Sequence, residues 1–190
     1  MTDYILSLDQ QFLLWANGSH TPLMDTVWWV ISYRFTWIPL YCVFAWMLFR
    51  RFTVKSAVAI LLTIGLMITL CDQISSHVIR DAVCRLRPSN PDNPLSACIT
   101  LVDGYRSGRY GFPSSHAANT IGLATMLSLV MRRRWFTGAI FVWAVIVCYS
   151  RLYLGVHYPT DLLAGGCLGA AIALTCYMLL LRFYPPQPRR

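Results

Sequence analysis

Charged residues are scarce in this chain of 190 amino acids. They make up 13% of the sequence, whereas an ordinary soluble domain has about 25%. Apolar residues reach 56%, against roughly 45–50% in soluble domains, and the mean hydropathy is +0.50. This composition excludes an ordinary water-soluble fold. It fits a single membrane domain over residues 1–190, because about five spans of roughly 20 residues each would use most of the length.

Signatures of several other protein classes are missing. No Cys and His residues have the spacing of a zinc site, no glycine-rich loop suggests a nucleotide, and no low-complexity tract is present. We therefore expect neither a metal ion nor a cofactor. Residues 1–11 lack the basic start and apolar core of a cleaved signal peptide. The net charge of +8 does not indicate nucleic-acid binding, because the charges lie between apolar runs and are better explained by membrane topology.

Apolar runs indicate helices that cross a membrane. Five runs can span, and they cover residues 24–49, 54–78, 114–131, 135–149 and 162–183. A shorter amphipathic stretch precedes them, ends at Asn17-Gly18, and carries an apolar side made of Leu6, Leu8, Phe12, Leu13 and Trp15. We predict an all-α polytopic membrane bundle of about five transmembrane helices, with an interfacial N-terminal helix within residues 1–21.

A polar segment separates the second and third runs. Residues 79–113 contain prolines and glycines that break regular structure, and irregular backbone cannot lie bare in hydrocarbon, so we expect an extramembrane loop. Nine of the sixteen Lys and Arg residues fall on the opposite side: Arg50, Arg51, Lys55, Arg132, Arg133, Arg134, Arg182, Arg189 and Arg190. By the positive-inside rule that side, with the tail 184–190, is cytoplasmic. The loop then faces the periplasm of a bacterial inner membrane.

Three short polar segments fall at span ends that this topology places on the outer face. They cover residues 80–88, 111–116 and 150–161. Arg80, Arg87 and Arg151 offer planar, permanently charged donors that match phosphate oxygens bidentately. Three such cations would neutralise a phosphate dianion without a metal ion. Convergence of the three segments would therefore build a phosphate site.

The second of these segments resembles the start of a helix. Pro113 suits a first helical turn, and the free backbone N–H groups that follow it favour an anion. The hydroxyls of Ser114 and Ser115 are candidates for further hydrogen bonds to phosphate.

Two histidines offer complementary chemistry. His157 and Asp161 are spaced i, i+4, so the carboxylate can reach one imidazole nitrogen and leave the other free to attack phosphorus. His116, on a different segment, would protonate the departing oxygen and later activate water. The pattern predicts a double displacement through a phosphohistidine at His157.

Together these segments resemble the type 2 phosphatidic acid phosphatase superfamily. The matching patterns are a basic residue followed after six residues by Arg-Pro (80–88), Pro-Ser-X-His (113–116), and Ser-Arg, five residues, His, three residues, Asp (150–161). The resemblance implies a helical membrane fold and a metal-independent lipid phosphatase or pyrophosphatase activity. It implies the same site roles for His157, Asp161, His116, Arg87 and Arg151. Two residues depart from the family's usual pattern, Arg80 for Lys and Ser115 for Gly, and we expect both to affect substrate choice or rate.

Several substrates are compatible with this resemblance. They are undecaprenyl pyrophosphate, lipid A phosphate and phosphatidate-type lipids, and the first is slightly favoured because the chain is compact and its site faces outward. An anion transporter or channel is the alternative, but it does not explain the joint spacings. A noncatalytic phospholipid-binding scaffold does not require the pairing of His157 with Asp161. The oligomeric state stays open.

The other polar residues have simpler interpretations. We expect His20 and His77 to be structural, and Asp72 to pair with an arginine or a histidine. The small residues that begin at Ala164 are expected to pack helices closely. We expect the loop arginines to be solvated, with contact to a lipid head group as the alternative: Arg85, Arg106 and Arg109. A disulfide between Cys84 and Cys98 is a further expectation if the outer compartment oxidises thiols.

Overall fold

Helices provide the regular structure of this chain. The computed structural model describes residues 2–189, so Met1 and Arg190, at the ends of the predicted N-terminal segment and C-terminal tail, lie outside the described residues. The α helices are α1 Thr2–Ala16, α2 Pro22–Ser32, α3 Ile38–Arg51, α4 Val54–Gln73, α5 Arg80–Val83, α6 Ser115–Met131, α7 Arg134–Tyr153 and α8 Pro159–Phe183. Shorter 3₁₀ helices occupy Arg34–Trp37, Pro94–Cys98 and Val102–Gly104, and a π-helical turn, Ile74–Ile79, joins α4 to α5. Residues 2–189 contain no β strand, so the all-α prediction is confirmed.

Three helical stretches are long and apolar enough to cross a membrane. They are Val54–Val83, which is continuous from α4 to α5, together with α7 and α8. The 17-residue α6 packs against α8, α7 and α4. Two of the predicted runs extend further than expected, to Val83 and Tyr153, so Arg80 and Arg151 belong to the last turns of helices. The chain is an integral membrane protein.

The first predicted span, 24–49, is not one helix. α2 ends at Ser32, Tyr33 is extended, and α3 begins only at Ile38. The carbonyl groups at the end of α2 are satisfied by side chains from the break: the Trp37 indole donates to Ile31 (2.9 Å) and the Thr36 hydroxyl to Val30 (2.6 Å). Because Pro39 lacks an N–H donor and suits a first turn, it favours a new helix start here.

The N-terminal helix α1 lies against the bundle by one side. Leu13 and Ala16 are buried, and the side chain of Asn17, just beyond the helix, donates to the carbonyls of Thr100 (3.0 Å) and Tyr153 (2.7 Å). The residues of the predicted apolar side therefore do not share one environment. Leu13 is buried against the bundle, and the other four are exposed: Leu6, Leu8, Phe12 and Trp15. Exposed apolar side chains on a docked helix fit a position at the membrane interface.

Small residues let α6 and α8 approach closely. An added Cβ at Gly165 would lie 2.3 Å from the carbonyl oxygen of Ser114, and one at Gly169 would lie 2.0 Å from that of Ala118. Both neighbours are backbone atoms, which cannot turn aside as a flexible side chain can. Neither distance therefore leaves room for a methyl group. The predicted role of these residues in helix packing is confirmed, and Gly165 also sets the position of Ser114.

Gly169→Ala is expected to destabilise the bundle. The new methyl group must push α6 away from α8, which costs about 3 kcal/mol in the free energy of unfolding. Gly138→Ala is the matched control, because Gly138 lies in α7 with no atom near its added Cβ and alanine favours helix more than glycine. Thermal unfolding in detergent micelles measures both. Equal melting temperatures for the two variants would contradict the packing argument.

A long loop follows α5 and reaches α6 at Ser115. Cys84 ends α5 in a left-handed conformation, and its thiol donates to the carbonyl of Asp81 (3.0 Å). Cys84 and Cys98 are both exposed free thiols. The expected disulfide between them is therefore wrong for this structure, because the Cys84 thiol turns back onto its own helix.

Candidate active site

The three polar segments meet at one end of the bundle. The loop contributes Arg87, whose Nη1 lies 2.7 Å from Nε2 of His157. The start of α6 contacts α8 through the backbone N–H of Ser114, which donates to the carbonyl of Asp161 (2.9 Å). Helix α5 joins through Arg80, which donates to the hydroxyl of Ser115 (2.7 Å). The opposite end of α6 lies beside the end of α3, where Arg50, Arg51 and Arg133 line one cleft.

His157 is held by the first turn of α8. It is 1% exposed, and its Nδ1 lies 3.4 Å from Oδ2 of Asp161, which is fully buried. The same carboxylate oxygen accepts the backbone N–H of Tyr158 (3.0 Å), so the helix start fixes the orientation of the carboxylate. Pro159 occupies the first turn of α8, as the spacing predicted.

The two ring nitrogens of His157 face different partners. Arg87 Nη1 also donates to the carbonyl of Val156 (2.9 Å), and Arg87 Nε donates to that of Tyr110 (3.0 Å). Since a guanidinium can only donate, the network assigns the lone pair to Nε2 of His157 and the proton to Nδ1. The nitrogen that faces the cations is therefore the one able to attack.

Charge and burial keep this imidazole neutral. Burial, followed by the charges of Arg87 and two further arginines, holds the pKa of His157 well below its usual range. Burial and the charges of Arg151 and Arg80 lower the pKa of Arg87 to about 10, so it stays protonated near neutral pH. A neutral imidazole beside a fixed cation is the arrangement that a nucleophile for an anionic group requires.

Arg80 and Ser115, the two departures from the usual family pattern, contact each other. Arg80 Nη2 donates to the Ser115 hydroxyl and to the carbonyl of Pro113 (3.3 Å). The same hydroxyl lies 2.9 Å from that of Ser75 and 3.2 Å from that of Ser76, both in the π-helical turn. Ser115 thus aligns the arginine, and its hydroxyl joins Arg80 to the π-helical turn.

Ser114 and His116 lie at the start of α6. The buried Ser114 hydroxyl caps the helix by accepting from the backbone N–H of Ala117 (3.4 Å), which leaves its own O–H free to donate. His116 is half-buried in the first turn and is close enough to His157, Arg151 and Arg87 for their charges to act on it.

Arg151 is buried in the last turn of α7. It donates to the hydroxyl of Ser32, and its charge acts on the hydroxyl of Tyr105. Burial raises the pKa of Tyr105, but the positive charge of Arg151, together with Ser107 and the charge of Arg87, outweighs burial, and the net effect is a lowered pKa. The Nε groups of Arg151 and Arg80 are buried without a hydrogen-bond partner among the described residues, so each retains a donor for an anion.

The arginines of the loop do not share one environment. Arg85 contacts Asp161 Oδ1 (2.8 Å) and Asp9 Oδ2 (2.5 Å), so the expectation that it is solvated is wrong. Arg106 donates to the carbonyl of Ser89. Arg109 is exposed and pairs with the exposed Asp92 at 3.3 Å, as expected for a surface arginine.

Gly111 is a site residue that sequence reasoning did not single out. An added Cβ would lie 3.1 Å from both Asp161 Oδ2 and Arg87 Cγ, and 3.6 Å from His157 Nδ1. Its position beside the Pro-Ser-Ser-His segment was the available signal, since glycine often marks a close approach of backbone to a site.

Residues that were expected to be structural have protein partners. The Nδ1 of His20 lies 2.6 Å from Asp25 Oδ1, and its ring packs against Tyr153. Asp72 accepts a hydrogen bond from the amide of Asn119 (2.8 Å), so its partner is an asparagine, and the expected arginine or histidine partner is wrong.

Comparisons with known proteins agree with this geometry. A family model for the PAP2 superfamily matches residues 56–184. The lipid A 4'-phosphatase of Bacteroides thetaiotaomicron is 41% identical over 169 residues, which cover 89% of this chain and 75% of that protein. The lipid A 4'-phosphatase of Porphyromonas gingivalis is 35% identical, with 94% and 75% covered. An undecaprenyl-diphosphatase of Sulfolobus acidocaldarius is 33% identical, with 74% and 61% covered.

Solved structures share the fold. A transmembrane PAP2-type phosphatidylglycerolphosphate phosphatase from Bacillus subtilis aligns with a TM-score of 0.68 at 22% identity, covering 95% of this chain and 88% of that one. Aquifex aeolicus LpxE aligns with a TM-score of 0.62 at 19% identity, covering 88% and 93%.

The family resemblance seen in three short segments thus extends over most of the chain. The family match covers α4 through α8, and these helices carry Arg80, His116, Arg151 and Asp161. The chain is a phosphatase of the membrane and belongs to the PAP2 superfamily.

Proposed function

We propose that this protein removes phosphate from a membrane lipid by forming a phosphohistidine at His157, without a metal ion. The observation that carries the proposal is the position of His157, with Nδ1 toward Asp161 and Nε2 2.7 Å from Arg87. A bound phosphate that accepts the Arg87 hydrogen bond would bring its phosphorus in front of the Nε2 lone pair.

The reaction then proceeds in two displacements. The negative charge of the bound phosphate holds His116 in its protonated form. Nε2 of His157 attacks phosphorus, the bond from phosphorus to the lipid oxygen breaks, and the protonated His116 gives that oxygen its proton. Nδ1–H stays hydrogen-bonded to Asp161, which stabilises the positive charge of the ring. His116 next takes a proton from water, the water oxygen attacks phosphorus, and the bond to Nε2 breaks. Inorganic phosphate leaves and His157 returns to its neutral form.

Guanidinium groups supply the positive charge of this site. Arg87 faces His157 directly, and Arg80 and Arg151 each keep a buried Nε donor for an anion. The start of α6 adds backbone N–H groups and the free O–H of Ser114. Together they would stabilise the charge on the equatorial oxygens during transfer.

The proposed substrate is a lipid A phosphate, with undecaprenyl pyrophosphate second. Sequence reasoning slightly favoured the latter, but the two lipid A 4'-phosphatases are 41% and 35% identical and cover 89% and 94% of this chain, whereas the undecaprenyl-diphosphatase is 33% identical and covers 74%. The distribution of arginines supports an active site on the periplasmic face of an inner membrane and a cytoplasmic C-terminus. The lipid tails would stay in the bilayer while the phosphate enters from the interface.

A panel of lipid phosphates tests the activity and its substrate. Purified protein in detergent is incubated with bisphosphorylated lipid A, undecaprenyl pyrophosphate and phosphatidic acid, and released phosphate is measured. We expect the fastest release from lipid A. Release from undecaprenyl pyrophosphate alone would reverse the order of substrates. No release from any lipid, together with anion flux in liposomes, would favour a transporter.

Inhibitors test the absence of a metal ion from the reaction. Because three guanidinium groups supply the positive charge, EDTA should change the rate by less than about twofold. Orthovanadate should inhibit strongly, since its trigonal-bipyramidal form resembles the transfer state. Loss of activity in EDTA that a divalent cation restores would contradict the proposed chemistry, even if vanadate inhibits.

A further inference from the structure

Arg85 contacts the carboxylate that orients His157. Its Nη1 donates to Asp161 Oδ1 (2.8 Å) and to the hydroxyl of Thr160 (2.6 Å). Its guanidinium carbon lies 4.0 Å from the centre of the Tyr158 ring, so the plane of the group is held by stacking as well as by hydrogen bonds. The other oxygen of Asp161 serves His157. Arg85 thus occupies the side of the carboxylate that the imidazole does not use.

Asp9 brings helix α1 into the same network. Its side chain is 1% exposed. Oδ2 accepts from Arg85 Nη2 (2.5 Å) and from the Thr160 hydroxyl (2.6 Å), and Oδ1 accepts from the backbone N–H of Thr160 (2.9 Å). One guanidinium therefore bridges a carboxylate of α1 and a carboxylate of α8.

The burial of both carboxylates explains why this bridge matters. An ionised carboxylate that is fully buried needs a charged or hydrogen-bonded partner on each oxygen. Without Arg85, Asp161 Oδ1 would lose the charged partner that the structure gives it. The carboxylate would then take up a proton or rotate, and either change weakens its hold on His157 Nδ1.

We infer that Arg85 is a positioning residue for Asp161 and that Asp9 makes the docked α1 helix part of the catalytic machinery. This inference rests on the proposed role of His157 as nucleophile. If Asp9 has this role, turnover depends on α1, whose exposed Leu8 and Phe12 would contact the bilayer surface.

Kinetics of Arg85→Gln provide the first test. We expect kcat to fall about 10²-fold, the scale seen when a group that orients a site residue is lost. KM should change by less than twofold, since phosphate contacts the other arginines. Arg85→Lys keeps the charge but offers one nitrogen in place of the two that contact Asp161 and Asp9, so it should restore part of kcat. Arg109→Gln is the matched control, because it removes the same charge from the same loop and breaks an exposed ion pair and a contact with the Tyr110 ring, neither of which involves Asp161.

A double-variant comparison separates positioning from a general effect on folding. If Arg85 acts through Asp161, then adding Arg85→Gln to Asp161→Asn should lower kcat by less than about threefold further, because the two residues act as one unit. A full additional 10²-fold loss in the double variant would contradict this and indicate a separate structural role.

Hydrogen exchange tests the bridge without using activity. In Asp9→Asn and Arg85→Gln, the backbone N–H of Thr160 should exchange at least tenfold faster than in the unchanged protein, while Arg109→Gln should not affect it. Unchanged exchange in both variants would overturn the inference, whatever the substrate is. Phosphate release by the unchanged protein but not by His157→Ala, combined with full activity of Arg85→Gln, would refute the inference and leave the proposed function standing.

Discussion

His157→Ala should abolish phosphate release from every lipid substrate. The variant loses the nitrogen that lies 2.7 Å from Arg87 Nη1, and with the ring it loses the contact to Asp161 that orients this nitrogen. We expect kcat to fall by at least about 10³-fold, as for other covalent nucleophiles. Incubation with lipid carrying radioactive phosphate, followed by an alkaline quench, should label the unchanged protein in an acid-labile form and leave the variant unlabelled.

His77→Ala is the control for this experiment. His77 lies on the π-helical turn near the site but is exposed, so its removal should change neither release nor labelling by more than twofold. Both variants should elute as folded protein in detergent. Acid-labile label that persists in folded His157→Ala would place the phosphate on another residue and contradict the mechanism.

Much of the site was predictable from the charged residues at the ends of the predicted membrane spans. A buried arginine or histidine is costly in a bilayer, so sequence segments that concentrate such residues at span ends indicate a shared polar site. The i, i+4 spacing of His157 and Asp161 also predicted their contact, because a helix start brings those positions together. Which ring nitrogen attacks was not predictable, since it depends on Arg87 from a distant loop.

The break in the first apolar run shows a limit of hydropathy. Residues 24–49 are mostly apolar, and a hydropathy value averaged over about 19 residues does not register the few polar positions among them. The run divides because the side chains of Thr36 and Trp37 satisfy carbonyls of α2, and a hydropathy average carries no term for such bonds. Pro39 was the local signal, but a proline in a membrane helix often causes only a kink.

The bridge between Asp9 and Asp161 could not be predicted for a different reason. Asp9 and Arg85 are 76 residues apart, and neither belongs to a recognisable spacing. Arg85 differs from the surface residue Arg109 mainly in what the folded chain places around it, because both are arginines of the same loop. Contacts of this kind depend on how α1 docks, and docking is set by packing over many residues.

His116→Ala should separate the two displacements of the reaction. His116 lies in the first turn of α6, and the proposed mechanism makes it the group that protonates the departing lipid oxygen. A lipid alkoxide is a poor leaving group and needs its proton, so release from lipid should fall about 10²–10⁴-fold, the usual contribution of a general acid or base. An aryl phosphate with a good leaving group needs no such proton, so it should still phosphorylate His157.

The second displacement determines what happens to that label. Water must lose a proton to His116 before it attacks the phosphohistidine, so His116→Ala should hold the aryl-derived phosphate on His157 and show a burst without sustained turnover. Quench-flow measurement of acid-labile label and released phenol follows both steps. Arg109→Gln should behave like the unchanged protein, because its side chain pairs on the surface with Asp92. Equal loss with lipid and aryl phosphates, without accumulated label, would show that His116 binds substrate and does not transfer protons.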